Sequence, residues 1–145
     1  MIFSKACQYA LKAMIYVQSR GSGINEPSVV TLNDIAEAIN SPVAFTSKIL
    51  QQLKKNNLLM SVAGVNGGYY IVQNQKITLK QIVVAIDGDA IFTECVLGLK
   101  QCDAHNPCPI HAAYTAQKNQ MDNFLNNSEL SSLSEKFRDN KFSLK

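Results

Sequence analysis

The chain has 145 residues, 46% hydrophobic and 17% charged, enough apolar matter for one folded unit and too much for a disordered tail. Its net charge of +3 is uneven: residues 1–80 hold eight basic and three acidic side chains (net +5), and residues 81–145 hold six and eight (net −2). No apolar run approaches the ~20 residues of a membrane span, and the start lacks a signal peptide's charged lead and unbroken apolar stretch. The expected compartment is the cytoplasm, where four cysteines are thiols or metal ligands rather than disulfides.

Ser4 can cap a first helix reaching about Ser19, with Ala6, Ala10, Met14 and Val17 along one side and Leu11 and Ile15 widening the stripe. Tyr9 and Cys7 on this helix read as packing residues. Gly21 to Ser28, with two glycines and a proline, is a loop by composition. Leu32, Ile35, Ala36 and Ile39 then recur at helical spacing. Asn40-Ser41-Pro42 ends that helix and starts another, with Ser41 as the expected N-cap and Pro42 in the first turn. Thr46, Ile49, Leu50 and Leu53 form the second apolar stripe, which stops near Asn56-Asn57. Two short helices joined by so tight a turn form a helix-turn-helix.

A hairpin follows: Leu59 to Val62, a tip at Gly64-Val65-Asn66-Gly67-Gly68, then Tyr69 to Val72. Helix-turn-helix plus hairpin is a winged helix. After a polar link, Thr78 caps a helix carrying Leu79, Ile82, Val83 and Ile86, which Asp87-Gly88 ends. Periodicity is lost from Ala90 to His111. It resumes in a longer helix from Ala112, with Ala113, Ala116, Gln120, Met121, Phe124 and Leu125 on one side. Ser128 is the expected cap of a last helix bearing Leu130, Leu133 and Phe137. The fold class is therefore mainly α with a small β-hairpin. A winged helix-turn-helix domain covers 1–88, a cysteine-bearing sensor loop 89–111, a long dimerisation helix and a C-terminal helix 112–138, and a tail 139–145.

The outward face of the second helix of the helix-turn-helix offers Val43, Ala44, Phe45, Ser47, Lys48, Gln51, Gln52, Lys54 and Lys55, with Ser41 in the turn before it. No acid occurs from Ser41 to Tyr70. Such a face suits phosphates and base edges, since each neutralised phosphate releases counterions. A solvated helix face is the bland alternative. The wing tip adds Asn66, Gly67 and Gly68 as candidate DNA contacts. The long helix from Ala112 has an apolar stripe that must dock on its own domain or on a second copy, and the homodimer is the expected state.

Three of the four cysteines fall within fourteen residues, as Cys95-x6-Cys102-x5-Cys108-x2-His111. Thiolates select soft or borderline metals, chiefly zinc or iron–sulfur clusters. The close Cys-x2-Cys pair of structural zinc sites is absent, and wider spacing wraps a loop around something larger than one ion. Pro107 and Pro109 stiffen Cys108. A thiol switch and unrelated thiols are the alternatives.

Several stretches resemble the winged-helix regulators of the Rrf2 family. They are Tyr9-Ala10-Leu11-Lys12-Ala13-Met14, the Ile35-Ala36 helix, Ile49-Leu50-x-x-Leu53, the wing Gly64-x-x-Gly67-Gly68-Tyr69, and Ile77-Thr78-Leu79 with Asp87-Gly88. The resemblance spans nearly the whole chain. It implies a homodimer on a palindromic operator in double-stranded DNA, usually a repressor. It also implies an iron–sulfur cluster, 2Fe–2S or 4Fe–4S, on Cys95, Cys102 and Cys108, with His111 where iron–sulfur members place a histidine ligand. Three positions depart from the family: Ala63 replaces the wing arginine, Phe45 a tyrosine-like residue, and Gln8 the acidic ligand of nitric oxide sensors.

The function expected is thus a DNA-binding transcriptional regulator modulated by that cluster. Its rivals are a cofactor-free or thiol-switched repressor, and an iron–sulfur or metal carrier in which the basic helix is incidental. No phosphate-cradling glycine motif or Ser-His-Asp set suggests an enzyme.

Overall fold

A computed structural model describes residues 2–21, 28–100 and 103–145. In chain order its elements are α1 (Lys5–Arg20), α2 (Leu32–Ala38), α3 (Val43–Lys55), β1 (Met60–Val62), β2 (Gly68–Tyr70), α4 (Leu79–Asp87), α5 (Ala90–Thr93), α6 (His111–Asn127) and α7 (Leu130–Asp139).

Ser4 starts α1 as expected, its hydroxyl accepting from the Cys7 N–H at 3.0 Å. With a wide apolar stripe, α1 becomes the hub, packing against α2, α3, β2, α4 and α7. Ala10, Ala13, Met14 and Val17 meet Ile35 of α2, Ile39 just after it, Leu50 and Leu53 of α3, Ile82 of α4 and Leu130 of α7 in one core. At about 1.5–3 kcal/mol for each large aliphatic side chain, this burial dominates the fold's stability. The last helix belongs to the same body, since the Ser134 hydroxyl donates to the Leu130 carbonyl at 2.8 Å and the Ile15 carbonyl at 3.3 Å. The expected loop from Gly21 to Ser28 lies mostly at 22–27, outside the described residues.

The wing is a two-stranded antiparallel hairpin with Met60 opposite Tyr70, Ser61 opposite Tyr69 and Val62 opposite Gly68. Val30 adds a bridge to Tyr69, each N–H donating to the other's carbonyl at 2.8 Å. That bridge explains Gly68, and the hairpin's own tight turn explains Gly67. A Cβ on Gly68 would lie 2.3 Å from the Val30 oxygen, and one on Gly67 would lie 2.2 Å from the Val62 oxygen.

Two expected caps are corrected. Pro42, with extended ψ of 138°, is the N-cap of α3, and no side chain caps that end. The Ser41 hydroxyl is instead buried with no hydrogen-bond partner. Likewise Ser128 does not cap α7; its hydroxyl closes α6 by donating to the Phe124 carbonyl at 2.7 Å, and Glu129 is the N-cap. The reason is a strap between distant segments: the Leu79 N–H donates to the Ser128 carbonyl at 3.0 Å and the Leu130 N–H to the Ile77 carbonyl at 2.8 Å. Thr78 does cap α4, in a reciprocal capping box with Gln81. The aperiodic segment also holds the short α5.

The apolar side of α6 divides in two. Leu125 is buried with Val83 and Cys7, and Met121 is half-buried against them. Ala113, Ala116, Gln120 and Phe124, spaced three or four apart, are exposed, Phe124 at 60%. The expectation that all six residues face one way is therefore corrected, because successive residues turn about 100° on a helix and this stripe spans two faces.

Candidate nucleic-acid interface and sensor loop

Helix α3 is positioned by its buried side. Thr46, Ile49, Leu50 and Leu53 are buried, and the Thr46 hydroxyl donates to the Pro42 carbonyl at 2.9 Å, which tightens the first turn. The opposite side presents Val43, Ala44, Lys48, Gln51, Lys54 and Lys55 to solvent, with Ser47 half-exposed. At the other end Asn56 closes the helix, its Nδ2 donating to the Gln52 carbonyl at 2.8 Å, and Asn57 turns the chain at φ 59°.

Two of the outward residues read from the sequence are engaged internally. The Phe45 ring stands edge-on to Tyr9 of α1, with centroids 5.7 Å apart and planes at 86°. The Gln52 amide donates to the carbonyls of Ala85 at 3.0 Å and Ile86 at 3.5 Å, tying α3 to the end of α4. Both hold the helix in place. At the wing tip Asn66 is exposed, and Gly67 and Gly68 are half-buried by the close backbone approaches described above. Val65 stands fully exposed beside Gly64, whose φ is 101°.

In the sensor loop, Cys95 and Cys108 come together and both are half-exposed free thiols. The N–H groups of Leu97 and Leu99 donate to the Cys95 sulfur and hold its thiol below the ordinary value, helped by the Cys108 thiol and the Lys118 ammonium. The Leu97 and Leu99 side chains are exposed, as are Val96 and Ile110. His111 begins α6, its N–H donating to the Cys108 carbonyl at 3.0 Å. Lys118 of α6 donates to the Glu94 carbonyl at 3.3 Å, so the helix and the loop are joined. Cys102 lies outside the described residues. Among the described residues, no three His, Cys, Asp or Glu side chains gather as a metal site.

The fourth cysteine is elsewhere. Cys7 is fully buried, and burial first, then the Asp87 carboxylate, pushes its thiol up to about 12. Asp87 also accepts from the Ser4 N–H at 2.9 Å and from the Ser4 hydroxyl. This supports the reading of Cys7 as a packing residue.

The family model for "Iron-dependent Transcriptional regulator", Rrf2, matches residues 3–136. The chain belongs to the Rrf2 family. Among curated relatives, a protein of Aquifex aeolicus (strain VF5) named as an HTH-type transcriptional regulator is 31% identical over 137 residues, 92% of this chain and 91% of that protein. The HTH-type transcriptional regulator IscR of Escherichia coli O1:K1 / APEC is 29% identical over 127 residues, 87% of this chain and 75% of that one. Of the solved structures, the global cysteine regulator CymR of B. subtilis superposes with a TM-score of 0.75 at 19% identity, covering 92% of this chain and 95% of its own. IscR of T. potens gives 0.74 at 18% identity, covering 97% and 90%. The winged-helix fold and the role of transcriptional regulator, not enzyme, are thus shown for this Rrf2 member. Among the described residues, no helix is long and apolar enough to cross a membrane.

Proposed function

We propose that this protein is a homodimeric repressor that binds a palindromic operator and whose affinity is modulated by an iron–sulfur cluster on the sensor loop. The observation that carries the DNA reading is the solvent side of α3, where Lys48, Gln51, Lys54 and Lys55 are exposed on a stretch without a single acid. Ser41, Val43, Ala44 and Ser47 line the entry to that helix, and Asn66, Gly67 and Gly68 form the wing contact. Phe45 and Gln52 act through positioning. The exposed row Ala113, Ala116, Gln120 and Phe124 on α6 supports the dimer, because nothing in its own chain covers it among the described residues. Two-fold pairing would set the two α3 helices about 34 Å apart, one DNA turn.

Cys95 and Cys108 fit a cluster in chemistry, since amide donors favour the thiolate that iron requires and the two sulfurs adjoin. Cys102 would complete the thiolate set and His111 would be the fourth ligand. When bound, the cluster would supply a redox-sensitive group, and its metal would neutralise most of the ligands' negative charge. The IscR name of the curated relatives fits this reading, as does the family description.

Selection from a pool of random duplexes tests the DNA reading, with a palindromic product bound by a dimer as the expected result. Protein reconstituted without oxygen should absorb in the visible, Cys108→Ala should abolish that absorbance, and His111→Ala should weaken or alter it. The adjoining thiols of Cys95 and Cys108 favour one second reading, a thiol-switched repressor without cofactor. Colourless reconstituted protein that still binds its operator would leave that one standing.

A further inference from the structure

We propose that α1 carries a second phosphate-binding edge, formed by Lys5 and Lys12, which continues the DNA face of α3. The inference rests on the DNA-binding reading above and extends it to a helix whose residues the sequence suggests only as packing.

Lys5, Tyr9 and Lys12 are spaced four and three apart, so they share one side of α1. Their contacts are specific. The Lys5 ammonium lies 5.6 Å and the Lys12 ammonium 5.2 Å from the centroid of the Tyr9 ring. The edge-to-face contact of that ring with Phe45 places this side of α1 beside the first turn of α3. Phe45 and Lys48 are in turn one helical turn apart on α3. Lys5, Lys12 and Lys48 thus belong to one continuous basic strip with two aromatic rings between its parts.

The charge pattern points outward. No Asp or Glu occurs before Glu26, and the first 21 residues carry Lys5, Lys12 and Arg20. Among the described residues Lys80 pairs with Asp122, and neither Lys5 nor Lys12 has a carboxylate partner. Asp87, which lies at this end of α1, is taken up by Ser4 and Cys7. Two ammonium groups held over one aromatic ring, Lys5 exposed and Lys12 half-buried, meet no anion among the described residues of their own chain. A polyanion lying across α3 would supply one. Contacts of this kind set the protein's register on the duplex and read no sequence.

Fluorescence anisotropy over a range of salt concentrations tests the edge, with the selected operator and an unrelated duplex as probes. Lys5→Ala and Lys12→Ala should each weaken binding to both duplexes by the same factor. Each should also make the slope of log affinity against log salt shallower by about 0.9, the value for one B-DNA phosphate contact. Lys12→Arg should retain the parent slope, and Lys141→Ala in the tail should change nothing. Circular dichroism melts confirm that the variants are folded. Weakened binding with an unchanged slope would overturn the edge, because the lysines would then act through the packing of Tyr9. Unchanged affinity and slope in both variants, while Lys48→Ala weakens, would overturn it as well. A parent protein that selects no duplex would instead bring down the DNA-binding reading on which the edge depends.

Discussion

Gly68→Ala probes how the wing is held. The new Cβ would lie 2.3 Å from the Val30 oxygen, 2.7 Å from its carbon and 2.9 Å from Val29 Cγ1, and the first two are backbone atoms that cannot rotate aside. The Val30–Tyr69 bridge must therefore open. Its two 2.8 Å hydrogen bonds are worth about 1 kcal/mol each in net stability. Overpacking adds about 1–3 kcal/mol, and the stiffer unfolded chain returns about 0.4–1 kcal/mol. The expected loss is about 2–4.6 kcal/mol, or roughly 6–14 °C in melting temperature for a chain of this size. Gly64→Ala is the comparison. Its φ of 101° strains any side chain, but a Cβ there meets nothing within 4 Å, so the bridge should survive. Calorimetry and operator anisotropy should show Gly68→Ala both less stable and weaker on DNA, with Gly64→Ala retaining the wing's docking. A Gly68→Ala protein melting within about 2 °C of the parent would refute the argument that Val30 anchors the wing.

Three further outcomes are expected. Cys7 titrates near 12 in the folded protein against 9.0 ordinarily, so the folded state holds its proton more tightly. Its contribution to stability is complete below pH 9 and is lost as pH rises from there towards 12. Denaturant titrations should show this loss, Cys7→Ala should remove it, and native Cys7 should resist alkylation. Phe124→Glu, at a 60% exposed position, should yield monomers in sedimentation with little change in melting, and an unchanged dimer would place the interface elsewhere. Ala63→Arg should tighten operator binding most where an A·T-rich, narrow minor groove lies under the wing, and no gain there would mean the wing stays outside the groove.

What the sequence made legible is mostly local. The Thr78–Gln81 capping box, the Ser4 cap and the stop at Asn56-Asn57 each depend on residues within one helical turn. The apolar stripes of α1, α2 and α3 were also readable, because burial repeats with the helix itself. The misassigned caps fail for a common reason. At Ser41-Pro42 and Ser128-Glu129 two adjacent residues could end a helix, and in the second case the choice is made by a strap from Ile77 and Leu79, some fifty residues away. The Val30 bridge is hidden similarly, since a single residue paired across the chain leaves no alternation. Phe45 and Gln52 point outward on a helical wheel, but α1 and α4 come to meet them there. Lys5 and Lys12 did leave a signal in the acid-free N-terminal segment, although only the Tyr9–Phe45 contact joins them to α3.

The same energetics single out α6 as the element able to connect the sensor loop with DNA. Helix α1 buries six residues; α6, one residue longer, buries Leu125 alone. That leucine contributes about 1.5–3 kcal/mol to docking. The Lys80–Asp122 ion pair at 2.5 Å, its side chains about a third exposed, adds no more than about 1 kcal/mol. Half-buried Met121 supplies a fraction of a buried side chain. So small a sum leaves the position of α6 open to whatever engages its remaining surfaces. One is the exposed row ending in Phe124, suited to a second copy; another is the amino end, where His111 and Lys118 meet the Cys95–Cys108 loop. On its docked side α6 leans on α4, and α4 receives the Gln52 amide from α3. On the proposed reading, ordering the loop would act on this lightly held long helix, and displacing it at a dimer interface would change the separation of two α3 helices. The tightly packed core around α1 would keep each proposed DNA-reading head rigid while that separation varied.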